Sequence, residues 1–153
     1  MNDLTELRSL LAASSDRNNP SAEELRDLFE SVDRIAVIGV SRFPEKAARR
    51  VPSYLAAQGY EIEPVNPHAD RILGKPVYGT LGDVPGAIDM VVVFRPSAEA
   101  GALVTEAVAR PERPAIWLQE GIRADEQIAA ARAGGAIAVQ DLCTFKVHRA
   151  RYA

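Results

Sequence analysis

From Arg34 onward, short apolar runs alternate with segments of helical spacing. Ile35-Ala36-Val37-Ile38 is a continuous apolar run that ends at Gly39, the pattern of a strand buried on both faces. Tyr60–Val65, Ile88–Phe94, Ala115–Leu118 and Ala136–Val139 read as further strands. Residues 48–58, Ala98–Ala109 and Asp125–Ala133 read as the helices between them, with Gly59 just past the end of the first. Pro52 requires that helix to begin near Arg49–Pro52 or to be kinked, because proline is tolerated only in a first turn. Gly74–Tyr78 reads as a short extended piece, followed by a turn at Gly79, a helical stretch near Leu81–Val84 and, at 141–150, a last helical turn. Strand and helix in alternation, joined by short connections, predict an α/β domain: a Rossmann-like parallel sheet with helices on both faces.

Upstream, Leu4, Leu7, Leu10 and Leu11 have helical spacing, and Ser14–Pro20 is a polar breaker run. Residues 1–20 are therefore expected to form a peripheral helix and linker, with the domain proper at 21–153. Ser21 and Glu24 form a capping box ahead of Leu25, Leu28, Phe29 and Val32, so a second helix starts there. It is expected to cover an edge or end of the sheet.

The length of 153 residues fits one domain, and 47% hydrophobic with 25% charged residues excludes a disordered chain. No apolar run approaches the ~18–20 residues of a membrane span, and no basic, apolar leader opens the sequence. One cysteine and two histidines argue against a disulfide framework and a structural zinc site. A cytoplasmic protein is expected, without membrane partners. The net charge of −3 disfavours nucleic acid as a partner. Fifteen arginines stand beside three lysines, a compositional bias that makes a lone arginine weak evidence of function.

Ligands of open α/β sheets bind beyond the carboxyl ends of the strands. That rule selects Gly39-Val40-Ser41, Asn66-Pro67-His68, Arg95-Pro96-Ser97, Gln119-Glu120-Gly121 and Asp141-Leu142-Cys143. After the first strand, Arg42, Lys46, Arg49 and Arg50 stand against one acid, Glu45, a local charge of 4 − 1 = +3. Cations at a helix amino terminus are unfavourable until an anion joins them, and the free N–H groups there also suit a phosphate. The alternative is a solvated basic loop. A nicotinamide dinucleotide is disfavoured. The turn has no second or third glycine, and Glu61 and Glu63 come too early to serve as the ribose-binding acid. No P-loop motif occurs. His68 reads as a surface residue, His148 has no evident partner, and Trp117 reads as core. Cys143 reads as a small buried hydrophobe, with a reactive thiol as the rival reading. No catalytic triad, carboxylate pair or metal-ligand spacing stands out.

Five segments in order carry a resemblance: Ile35-Ala36-Val37-Ile38-Gly39-Val40-Ser41, Val65-Asn66-Pro67, Phe94-Arg95-Pro96, Trp117-Leu118-Gln119-Glu120-Gly121 and Asp141-Leu142-Cys143. Over residues 21–150 the chain resembles the small stand-alone CoA-binding proteins, themselves similar to the CoA-binding domain of the succinyl-CoA synthetase α subunit. The resemblance implies coenzyme A as ligand. Gly39, Val40 and Ser41 would contact its phosphates, and Lys46, Arg49 or Arg50 would take the 3′-phosphate or pyrophosphate. Asn66 and Pro67 would line the nucleotide site, Phe94, Arg95 and Pro96 would flank the adenine, and Gln119 and Gly121 would lie near the pantetheine. The chain departs from the family pattern at Pro52, at Leu142 where an arginine is usual, and at Val147 where a glutamate is usual. The expectation is a binding module for CoA or acyl-CoA, a carrier, sensor or regulator with no catalytic residue assigned. The rivals are a component of an acyl-CoA ligase that needs a partner chain, and a nucleotide-dependent oxidoreductase with a degenerate glycine loop.

Overall fold

Alternate residues of each apolar run point to opposite faces of one sheet, and both faces are covered, which is why the runs are apolar throughout. The computed structural model describes residues 4–151. In chain order the elements are α1 (Thr5–Ala13), α2 (Ala22–Ser31), β1 (Arg34–Ile38), α3 (Ala47–Ala57) and β2 (Glu61–Val65). The two-residue strands β3 (Arg71–Ile72) and β4 (Lys75–Pro76) and a 3-10 turn (Leu81–Asp83) follow. β5 (Met90–Val93), α4 (Ser97–Val108), β6 (Ala115–Leu118), α5 (Asp125–Ala133), β7 (Ala138–Val139) and α6 (Thr144–Ala150) complete the chain.

The main sheet is parallel, in the order β2-β1-β5-β6-β7. The chain goes from β1 outward to β2, then returns to the other side of β1 as β5. This places the topological switch point between β1 and β5. β3 and β4 form an antiparallel pair that returns the chain to β2, where Tyr78 bridges Val65. The architecture is the Rossmann-like α/β domain that the alternation of elements predicts.

Ile35, Val37, Met90, Val92 and Trp117 face one layer, where Leu7, Leu25, Phe29, Leu55 and Val147 cover them from α1, α2, α3 and α6. Ala36, Ile38, Val91, Val93, Ile116 and Leu118 face the other, under Ala100, Val104 and Ile128 of α4 and α5. α2 starts at its capping box, with the Glu24 N–H donating to Ser21 Oγ and the Ser21 N–H to Glu24 Oε1, both at 3.1 Å. It packs on a sheet face and not on an edge: the Phe29 ring lies 5.3 Å from the Trp117 ring and 5.2 Å from that of His148. Trp117 is fully buried, and its Nε1 donates to Leu142 O at 2.8 Å. Residues 4–20 run outside the sheet but supply core contacts, with Leu4 and Leu7 buried in the first layer. Helix α3 begins at Ala47, so Pro52 lies inside it.

Candidate functional site

The carboxyl ends of β1, β2 and β5 enclose a cleft of about 760 Å³. Of the residues singled out from the sequence, Gly39, Val40, Ser41, Asn66, Pro67 and Arg95 line it, together with His68. Three loops meet there because the three strands that precede them are neighbours in the sheet.

The β1 turn is built on Gly39, whose φ of 88° is a conformation that other residues rarely adopt. A Cβ at this position would lie 2.9 Å from Arg95 Cδ and 3.2 Å from the Phe94 carbonyl carbon. Glycine thus serves both the turn and the close approach of the β5 loop. The Gly39 N–H donates to Val65 O and the Ser41 N–H to Ala48 O, each at 2.9 Å, while Ser41 Oγ accepts the Phe43 N–H at 3.0 Å. The N–H groups of Val40 and Arg42 have no acceptor among the described residues. They are the open donors of the turn. The Arg42 guanidinium lies 5.1 Å from the centre of the exposed Phe43 ring.

Asn66 ties the second loop to the first. Its Nδ2 donates to Val40 O at 2.9 Å and its Oδ1 accepts the His68 N–H at 2.8 Å. The third wall is α4, which presents Glu99, Ala102, Leu103 and Glu106 to the cleft. This spacing of three, four and seven residues marks one helical face and was readable in the sequence. Arg42, Phe43, Thr80 and Leu81 also line the cleft. With Arg42, Arg95 and open N–H groups at the turn, and apolar Ile38, Val65, Leu81 and Leu103 around it, the arrangement suits a ligand that joins an anion to a flat or apolar group.

The other residues named from the sequence lie outside this lining. Lys46 is the exposed residue that precedes α3; Arg50 is exposed in the first turns of that helix. Arg49 donates from Nη1 to Ser53 Oγ at 2.7 Å, along its own helix. Phe94 packs against the first core layer, and Pro96 precedes α4. Gln119 is buried, with Oε1 accepting the Thr144 N–H at 2.9 Å. The Gly121 N–H donates to Asp141 Oδ1 at 2.6 Å. Glu61 and Glu63 stay in β2, paired with Arg34 and Lys75.

The β6–β7 half of the carboxyl edge is covered. Residues 14–19 cross it, with the Ser15 N–H and Oγ donating to Asp141 Oδ2 at 2.8 and 2.6 Å and Ser14 Oγ donating to Asp141 O at 2.8 Å. Burial opposes ionisation of Asp141, but these bonds and that of Gly121 outweigh it and hold the carboxyl below its ordinary range. Cys143 is half-buried beside this strap, in a separate cleft of about 270 Å³ that Lys146 and Glu120 also line. His148 is buried on the opposite side of the sheet from α4, its Nδ1 2.7 Å from the Tyr54 hydroxyl. Among the described residues no group of three or more His, Cys, Asp or Glu is placed to hold a metal ion, and no helix is long and apolar enough to cross a membrane.

Known proteins resemble this chain in sequence and in fold. YneT, an uncharacterized protein of Bacillus subtilis (strain 168), is 34% identical over 130 residues, which cover 85% of this chain and 96% of YneT. A stretch of 100 residues, 64% of this chain, is 32% identical to the ADP-forming acetate–CoA ligase II of Archaeoglobus fulgidus, but spans only 15% of that enzyme. The solved structure of cell-free ID.343 from Thermus thermophilus superposes with a TM-score of 0.80 at 33% identity, covering 87% of this chain and 100% of that one. Residues 33–149 match the family described as CoA binding domain. The stretch runs from β1 through α6 and takes in every wall of the cleft, and the chain belongs to the CoA-binding domain family.

Proposed function

We propose that the cleft between the β1, β2 and β5 loops binds coenzyme A or an acyl-CoA, and that the chain works in the cytoplasm as a carrier, sensor or regulatory module without catalysis of its own. The observation that carries this reading is the β1 turn. Gly39 brings the β5 loop against it, Val40 and Arg42 leave their N–H groups open, and Arg42 and Arg95 add positive charge at the switch point of the sheet. A pyrophosphate seated on this turn would meet both the N–H donors and the guanidinium groups. The adenine would lie toward Leu81 and Leu103. Lys46, Arg49 and Arg50 stand farther along the chain, where the 3′-phosphate of a bound CoA is the group left for them.

Titration calorimetry at matched ionic strength tests the reading. CoA should bind more tightly than NAD; equal or reversed affinities would remove the assignment. Native mass spectrometry of freshly purified protein should show a retained adduct of CoA mass.

The match to one segment of an ADP-forming acetate–CoA ligase favours a second reading, a ligase component whose remaining parts lie on a partner chain. Co-purification of such a chain, with CoA-dependent acyl transfer by the complex and not by this protein alone, would select it.

A further inference from the structure

Glu99 and Glu106 both line the cleft, and Glu99 is the one paired with a cation of its wall. Glu99 stands in the first turn of α4 and lines the cleft beside Arg95. Arg95 donates from Nε and Nη2 to the same oxygen, Glu99 Oε2, at 2.9 and 2.8 Å. Its methylene stem lies across Gly39, where an added Cβ would stand 2.9 Å from Cδ and 3.3 Å from Cγ. The side chain is therefore folded over the turn, with its charged head on α4. The carboxylate takes the Nε–Nη2 edge of the guanidinium, one of the two edges on which a phosphate could bind. Both side chains are about half exposed, at 48% and 51%, so water and salt weaken the pair and it exchanges readily.

We propose that Glu99 is an internal competitor for the phosphate of the bound ligand. It holds Arg95 closed over Gly39, and the arriving phosphate displaces the carboxylate from the guanidinium as it seats on the β1 turn. This exchange, which rests on the CoA reading above, sets the affinity of the cleft below what its cations alone would give. Any negative charge near the cleft would also repel an anion, so the distinguishing property is that the effect of Glu99 passes through Arg95.

Calorimetry with CoA on the wild type, Glu99→Gln, Arg95→Ala and the double variant tests the exchange. Glu99→Gln should bind CoA roughly two- to fivefold more tightly, the scale of one exposed ion pair. Arg95→Ala should bind about tenfold or more weakly, the scale of a lost hydrogen bond to a charged group. The double variant should match Arg95→Ala. Glutamate also favours a helix amino terminus, so Glu99→Gln should slightly lower the melting temperature while it raises affinity, and a purely structural role would weaken binding instead. A Glu99→Gln gain that persists undiminished in the Arg95→Ala background is plain charge repulsion and overturns the exchange. So does Glu99→Gln binding no tighter than wild type. Either result leaves CoA binding by the wild type standing, whereas a wild type that binds no CoA overturns both readings.

Discussion

The N–H of Ser41 donates to the carbonyl of Ala48, across the loop that joins β1 to α3. In an uninterrupted helix that carbonyl would accept the N–H of the residue four positions on, which here is Pro52. Proline has no N–H to give. The helix thus loses an internal bond at the place where the loop beside the cleft gains one.

Pro52→Ala should return a competing donor to Ala48 O. The expected outcome is faster amide exchange at Ser41, by about fivefold for the loss of roughly 1 kcal/mol of hydrogen bonding. Hydrogen exchange followed by NMR measures it. An unchanged Ser41 rate would mean that the loop is held by other contacts.

Arg42 and Arg95 line the cleft, whereas Lys46 and Arg50 do not. For CoA binding, Arg42→Ala and Arg95→Ala should each cost roughly tenfold or more in affinity. Lys46→Ala and Arg50→Ala should stay within about twofold when dephospho-CoA is the ligand, since exposed charges contribute little. Calorimetry on the four variants gives the ranking, and the reverse order would place the pyrophosphate over the start of α3.

Asn66 has its side-chain N–H and carbonyl oxygen committed to Val40 O and the His68 N–H. Its role is to hold two loops together. Asn66→Ala should weaken CoA binding by about 1–2 kcal/mol through the loosened turn. Free Asn66→Ala protein should show new mobility at Val40 and His68 in amide relaxation measurements; a loss of affinity with both amides unchanged would point to direct ligand contact instead.

Burial, with the charge of Arg151 adding to it, pushes the His148 pKa down to about 4 from an ordinary 6.5. Between those values the unfolded chain binds a proton that the folded chain refuses, so stability falls as pH drops from 6.5 toward 4. The slope from this group is at most about 1.4 kcal/mol per pH unit. Denaturant midpoints across this range should fall for wild type and flatten for His148→Gln. An equally steep fall in both would assign the acid sensitivity to other groups.

The elements with local signals were legible. β6 at 115–118 and α5 at 125–133 have the bounds that apolar runs and helical spacing give, and the capping box at Ser21 forms as its residues suggest. Alternation predicts a parallel sheet with its loops along one edge, and the Gly39 turn and the Asn66-Pro67 loop share a cleft because β1 and β2 are neighbours in it. Contacts between distant residues were not legible. Nothing local says that Arg110 donates to the carbonyls of Leu81, Val84 and Gly86, or that Arg132 donates to Asp16 and Ala138 O. These two arginines shape loops, and composition alone could not separate them from Arg42 and Arg95. The Tyr54 hydroxyl and the three rings around His148 likewise come from separate elements.

The clasp between Ser15 and Asp141 joins residues near opposite ends of the chain, and α1 packs on α6 in the same region. α1 is made well before α6, which supplies part of its docking surface. A helix of nine residues is marginal alone, so α1, with Leu7 buried, depends for its docking on contacts with α2 and with the distant α6. Closure of this segment is therefore expected to follow formation of the sheet. Pulse-labelled hydrogen exchange during refolding should find the amides of α1 protected after those of β1, β5 and β6; simultaneous protection would exclude that order.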